Sequence, residues 1–339
     1  MLTRSYMMNH NNIVGQFIAW ADQVQEATAA GKPYLLGEMA SIGPQGLAGV
    51  SDVFGCALWS LDFFLYAATI NITHVLMHMT DVGNQSMWQP IEVGGIDPWV
   101  RPVYYGHVVV DTLIGSANDT SIAEIDVTTQ ELQDYAGEAS AYVIYRSNTI
   151  YATVLINMKE FNSTDTETSD TQLNFTVNIP PAYAGNNLTV LKLSAPGADS
   201  FKQVTWAGLD YQTDSGLPSV AATNDTTFVT VSAGGQFSVL VRDTQAVVVL
   251  FNSSAGVTLN TASAASSQGT SSSSENGNTT LLGPTNSTSG NSTDGSGGEG
   301  GSDSTKSAAF GRIMCNLPLM SVLCICTAMV LGANSFMFG

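Results

Sequence analysis

The chain has 339 residues, 28 acidic against 10 basic, and a formal charge of −18. That balance excludes a nucleic-acid binder, which needs a Lys/Arg surface to displace phosphate counterions. Only 11% of residues are charged and 44% are hydrophobic, so most of the chain can bury a core and the polarity of its surface must come from elsewhere.

The first ten residues, Met1 to His10, contain no apolar run of signal-peptide length. Residues 11–30 read as a helix, with Ile13, Phe17, Ile18, Ala21 and Val24 at helical spacing, stopped by Gly31 and Pro33. Tyr34 to Gly37 then predicts a short buried strand that delivers Glu38 into a small-residue loop, Ala40 to Gly49. Ser51 to Ile70 is apolar nearly all round, and Ser60 and Asp62 at its middle favour a soluble core helix over a membrane span. His74 to His78 reads as a second strand, followed by a loop with Trp88, Gln89 and Pro90 and a helix over about 101–115. This alternation predicts α/β architecture with a parallel sheet. Two such strands cannot close a barrel, so the segment reads as the last two β/α units of something larger, a partial (β/α)8 barrel over 1–118.

From about 121 the rhythm changes. Segments 141–145, 150–157, 173–179, 188–193, 201–206, 227–231, 237–241 and 246–251 alternate or are rich in β-branched residues, with Gly, Pro and Asn between them. They predict an antiparallel β-sandwich of roughly eight strands over 119–255. In 261–308, 35 of 48 residues are Ser, Thr, Gly or Asn, a composition that cannot bury enough surface to fold, so 256–308 reads as a disordered stalk.

Residues 309–339 form a hydrophobic tail. Arg312 is the last charge, and Leu317 to Phe338 is long enough to span a bilayer. No basic residue follows, and small residues precede it (Gly300, Gly301, Ser302, Ser304, Ser307), the layout of a glycosylphosphatidylinositol attachment signal; the alternative is a retained tail anchor. Eleven Asn-x-Ser/Thr sequons occur, at Asn71, Asn84, Asn118, Asn162, Asn174, Asn187, Asn224, Asn252, Asn278, Asn286 and Asn291. Together they predict a secreted glycoprotein held at the membrane's outer face or the cell wall, and with no leader at Met1 the chain reads as the C-terminal part of a longer precursor. Three of the four cysteines lie in the tail, which leaves Cys56 as a buried thiol and provides neither a disulfide framework nor a Cys metal site. No metal or cofactor is expected.

Glu38, at the C-terminal end of a strand, stands where α/β barrels place catalytic groups, although a loop carboxylate capping the next helix would look the same. His78 occupies the same position on the next strand, as a second site residue or a structural histidine. Trp88 is a sugar-stacking floor or a packed loop aromatic.

Gly37-Glu38-Met39-Ala40-Ser41, Gly49-Val50-Ser51-Asp52-Val53-Phe54-Gly55, Ala57-Leu58-Trp59-Ser60-Leu61-Asp62 and Tyr66-Ala67-Ala68 resemble the nucleophile region of fungal family 79 glycoside hydrolases, the β-glucuronidase and heparanase-like group. His78, Trp88-Gln89-Pro90 and Arg101-Pro102-Val103-Tyr104-Tyr105-Gly106 continue in the same order. Ala195-Pro196-Gly197-Ala198-Asp199 and Val204-Thr205-Trp206-Ala207-Gly208 resemble that family's C-terminal domain, so the likeness spans about 1–252. It implies a carbohydrate substrate and a retaining mechanism with Glu38 as nucleophile. Such an enzyme needs a second carboxyl group about 5–5.5 Å away as acid/base. In the clan resembled, that group follows an Asn on an earlier barrel strand, whereas none of the ten Glu here follows Asn. The segment carrying it would precede Met1, and the chain alone would be inactive. Gln85 stands where the family often has a Tyr that helps hold a uronate carboxylate, so His78, Gln85 and Trp88 are the implied substrate contacts. The alternative is a non-catalytic surface glycoprotein that binds or displays glycan through its β-sandwich.

Overall fold

A computed structural model describes residues 3–115, 119–125, 135, 137–168, 171–213, 217–221 and 226–251. The expected stalk and tail lie outside the described residues, as do the sequons at Asn118, Asn224, Asn252, Asn278, Asn286 and Asn291. Among the described residues no helix is long and apolar enough to cross a membrane.

The N-terminal region begins with a single turn, α1 (Arg4–Met7), and the long α2 (His10–Ala29). Asn9 caps α2, its side chain accepting from Asn12 N at 3.2 Å. The buried stripe is His10, Ile13, Phe17 and Val24. Ile18 and Ala21 do not belong to it; Ile18 is 75% exposed, because one step beyond Phe17 turns a side chain off the buried face. Next come β1 (Tyr34–Met39), α3 (Phe54–Thr69), β2 (Ile72–Met77), the two-residue strands β3 (Trp88–Gln89) and β4 (Trp99–Val100), and α4 (Val103–Ile114). Apart from Tyr66 and Thr69, every residue of α3 is buried. Gly106 of α4 lets this contact close: a Cβ there would run into Ser60 Oγ and lie 2.6 Å from the Ala57 carbonyl.

β1 and β2 pair in parallel, with Leu36 opposite Val75 and Met39 opposite Met77, and among the described residues no third strand joins them. The expectation of a buried strand at Tyr34 to Gly37 is corrected here. Of β1 only Leu36 is buried, and Leu35 is 47% exposed, because helices α2 and α3 cover one side and nothing described covers the rest.

The second region is all antiparallel. Its strands are β5 (Thr120–Glu124), β6 (Ala139–Arg146), β7 (Thr149–Asn157), β8 (Gln172–Asn178), β9 (Asn187–Ser194), β10 (Thr205–Trp206), β11 (Leu209–Asp210), β12 (Ser219–Val220), β13 (Thr226–Thr230), β14 (Gln236–Arg242) and β15 (Gln245–Leu250). Nine form one sheet, in the order β12-β11-β10-β9-β15-β7-β6-β5 with β13 also on β9, and β8 and β14 pair separately. One face of the large sheet shares a core with α3 and α4 through Tyr142, Val154, Leu191 and Val248. The other face buries Leu155, Val190, Val247 and Val249 against Phe175, Phe237 and Val241 of the β8–β14 pair. The chain is thus a mixed α/β, strand-rich fold. Only Thr205–Trp206 of the expected strand 201–206 is a strand; Phe201 is 44% exposed at a bend.

Candidate active site

Glu38 and His78 meet where β1 and β2 end. The His78 backbone N–H donates to the Met39 carbonyl at 2.7 Å, which continues the parallel ladder one step past the strands. His78 Nδ1 lies 2.8 Å from Glu38 Oε1. With Glu38 ionised, that nitrogen carries the proton, so one carboxylate oxygen is held, and among the described residues the other is free. The side chain of Glu38 is 73% exposed and that of His78 33%, so the pair adds little to stability and its value is orientation.

The loops after the two strands are stitched together beside this pair. Gln85 is 3% exposed, and its Nε2 donates to the Pro44 carbonyl at 3.1 Å. Asn84 N donates to the Gln45 carbonyl at 2.7 Å. Gly46 has φ +73°, and a Cβ there would come 2.6 Å from Gln85 N, so a side chain would force the loops apart. Gln85 therefore sits in a loop–loop junction with its Nε2 committed, and its Oε1 is buried with no hydrogen-bond partner among the described residues. Trp88, half-buried, stands edge-on to Tyr104 with centroids 6.0 Å apart. The structure thus brings Glu38 and His78 together, fastens Gln85 beneath the adjoining loops and sets Trp88 on the aromatic seam.

Sequence reasoning missed that seam. Tyr104 packs edge-on to Tyr211 at 5.8 Å, Tyr105 OH donates to Asp210 Oδ1 at 2.8 Å, and Tyr211 N donates to Tyr105 OH at 2.7 Å. Burial pushes the Tyr105 hydroxyl up, further raised by Asp210, so it stays protonated and donating. Arg101 is also buried, donating to Gln89 Oε1 at 3.2 Å with its guanidinium 5.2 Å from the Trp99 ring. Burial raises the Asp52 carboxyl, with backbone N–H bonds and the Arg101 charge opposing that rise. Burial pushes the Cys56 thiol up to about 12, which suits an inert core residue.

A second polar cluster lies inside the molecule. His10 Nδ1 is 2.8 Å from Asp62 Oδ2 and its Nε2 is 2.9 Å from Glu124 Oε1. Ser140 Oγ and Tyr142 OH each donate to Asp62 Oδ1 at 2.6 Å. Burial alone would lower the His10 pKa, but the hydrogen bonds and charges of Asp62 and Glu124 outweigh it and raise the value to about 10. Ser140 bonds the carboxylate and not the imidazole, so no hydroxyl is activated as a nucleophile. The cluster ties α2 and α3 to β5 and β6. Its signal in the sequence was Asp62 itself, a lone acid in an apolar helix. Among the described residues no group of three or more His, Cys, Asp or Glu could hold a metal ion.

The profile of the glycosyl hydrolase family 79 C-terminal beta domain matches residues 141–248. A β-glucuronidase of Aspergillus niger is 30% identical over 246 residues, covering 67% of this chain and 43% of the relative. A β-glucuronidase of Neurospora crassa is 28% identical over 258 residues, covering 67% and 46%. The chain therefore spans somewhat under half the length of the curated relatives it matches. A crystal structure of a 4-O-α-L-rhamnosyl-β-D-glucuronidase from Fusarium oxysporum 12S superposes with a TM-score of 0.61 at 22% identity, covering 74% of this chain and 50% of that one, which shows a shared fold. Residues 141–248 thus form a family 79 C-terminal β domain, and the chain is a relative of the family 79 glycoside hydrolases, which it matches in their C-terminal portion.

Proposed function

We propose that this chain carries the nucleophile half of a retaining, β-glucuronidase-like glycoside hydrolase acting on glycans. In this reading β1, α3, β2 and α4 are the closing units of a (β/α)8 barrel, and the antiparallel region is the β-sandwich that braces them. The observation that carries it is the Glu38–His78 pair at the C-terminal ends of two adjacent parallel strands. Glu38 attacks the anomeric carbon through its free oxygen while His78 holds the other. The glycosyl-enzyme is then hydrolysed with help from an acid/base carboxyl group supplied by a segment outside this sequence. Trp88 offers a ring for stacking on sugar, and Gln85 acts by fixing the loop that shapes the cleft.

The chain alone should not turn over. An assay of the chain against aryl β-glucuronides tests this: release no greater than that of Glu38→Gln is expected, and hydrolysis that this substitution abolishes would overturn the need for an external acid/base. A second reading, a non-catalytic glycan-binding or display protein, is favoured by one observation, the 73% exposure of the Glu38 side chain. Retention of the chain on a glycan array that survives loss of Glu38 and Trp88 would support it.

We also propose a secretory route and an outer-surface location through the lipid-anchored or membrane-spanning C-terminal segment. The tail composition and the sequons support this, and release of the native protein from membranes by phosphatidylinositol-specific phospholipase C tests the lipid form.

A further inference from the structure

Among the described residues of the antiparallel region, Phe201, Leu217, Val220, Phe228 and Leu240 are large apolar side chains left exposed, and the last two stand next to sequons. Leu240 of β14 is 56% exposed and Phe228 of β13 is 66% exposed. The outer face of the β8–β14 pair is mostly a ladder of neutral groups, with Thr176 Oγ1 2.9 Å from Ser238 Oγ and Gln236 Nε2 donating to Asn178 Oδ1 at 3.0 Å, and Arg242, paired with Glu167, stands at one end.

Leu240 and Phe228 each have a sequon asparagine beside them. Asn174 is directly opposite Leu240 in the β8–β14 register, which sets their Cβ atoms about 5 Å apart on one face. Phe228 is opposite Thr189 and Thr230 is opposite Asn187, so Asn187 is the diagonal neighbour of Phe228 on the same face, about 7–8 Å away. Both asparagines are exposed. The side chain of Asn174 makes no hydrogen bond among the described residues, and Asn187 only accepts a long one, from Thr230 Oγ1 at 3.4 Å. Other sequons in the described part are tied into the fold. Asn71 Nδ2 donates to Thr28 Oγ1 at 2.8 Å, and Asn162 Oδ1 accepts from Arg4 Nη2 at 2.8 Å. In the Asn84 sequon the required hydroxyl, Ser86, is buried and bonded to both backbone groups of Thr80.

We infer that Asn174 and Asn187 are N-glycosylation sites whose first sugars lie over Leu240 and Phe228. In the modification the Asn amide nitrogen forms a bond to C1 of the sugar of a lipid-diphosphate-linked oligosaccharide. The C1–oxygen bond breaks, the lipid diphosphate leaves with the electron pair, and the transferase takes the amide proton. The apolar face of the attached sugar then covers the side chain, and its hydroxyl groups supply hydration that the sparse charges do not. The inference rests on the secretory reading above.

The test is to express the full chain behind a heterologous signal peptide in a eukaryotic host, remove N-glycans with peptide N-glycosidase in heavy-oxygen water, and map peptides by mass spectrometry. Both Asn174 and Asn187 are expected as heavy Asp, about 3 Da above Asn, with near-complete loss of the unmodified peptides. Unmodified Asn at both positions would overturn the inference. Because the added signal peptide supplies the route, that failure would fall on the geometry and leave native routing to be judged by its own experiment. The covering role has a separate readout. Removing the glycans should raise binding of an apolar dye, and a chain with Leu240→Thr and Phe228→Thr should lose that rise. A rise of equal size in that variant, or none in the unsubstituted chain, would overturn it.

Discussion

β15 and β1 are both six-residue strands rich in aliphatic side chains, yet they sit in opposite surroundings. Every residue of β15 is buried, with β7 and β9 on its two edges, the helices over one face and the β8–β14 pair over the other. Among the described residues β1 has one strand neighbour and one buried side chain. Full burial of a strand needs partners on two edges and two faces, and β15 finds all four within this chain, three from the antiparallel region and one from the helices. Among the described residues the strand that carries the candidate nucleophile has two at most. The His10 cluster joins the regions, so the exposed strand is held by its attachment to a covered one.

The largest effect should come from cutting that join. Asp62→Ala would leave the His10 imidazolium, Ser140 and Tyr142 without their shared acceptor, at a cost of about 3–5 kcal/mol in urea unfolding. The join also has a pH signature. Because folding raises the His10 pKa from 6.5 to about 10, its contribution is complete below pH 6.5 and fades as pH climbs through 10. The urea midpoint should fall over that window, and a His10→Asn variant should lose that part of the dependence.

A like-for-like pair sharpens the contrast between the strands. Leu155→Ala on β7, where the side chain is fully buried, should cost about 2–5 kcal/mol. Leu35→Ala on β1 should stay within about 0.5 kcal/mol, since much of that side chain already meets water. Equal effects would mean that β1 is covered in solution. Between these, Glu38→Gln should change stability by under about 1 kcal/mol, as expected of an exposed ion pair.

Much of the fold could be read in the residues. Ile13, Phe17 and Val24 mark the buried side of α2, and the alternation from Leu173 to Val177 marks β8 as a strand with one wet face. The two-residue strands β11 and β12 carry no period long enough to detect. Leu35 was misjudged because apolar composition states a preference for burial, and whether it is met depends on what packs there. In the site, Glu38 and His78 could be placed at the ends of two strands from the sequence, and the fold brings their side chains within 2.8 Å. Gln85 was harder to place: only tertiary contact with Pro44 and Gly46 turns a loop amide into a junction. His10 could not be matched to Asp62 at a separation of 52 residues without the fold.

The account turns on Glu38 as nucleophile, and chemical rescue tests that most directly. The chain would be joined to the N-terminal portion of the Aspergillus β-glucuronidase that lies outside the match, with Glu38→Gly introduced, and assayed on an aryl β-glucuronide with and without azide. The account predicts that the Glu38 form hydrolyses the substrate, that Glu38→Gly does not, and that azide restores turnover with an α-glycosyl azide as product. Undiminished hydrolysis by the glycine variant without azide would contradict it.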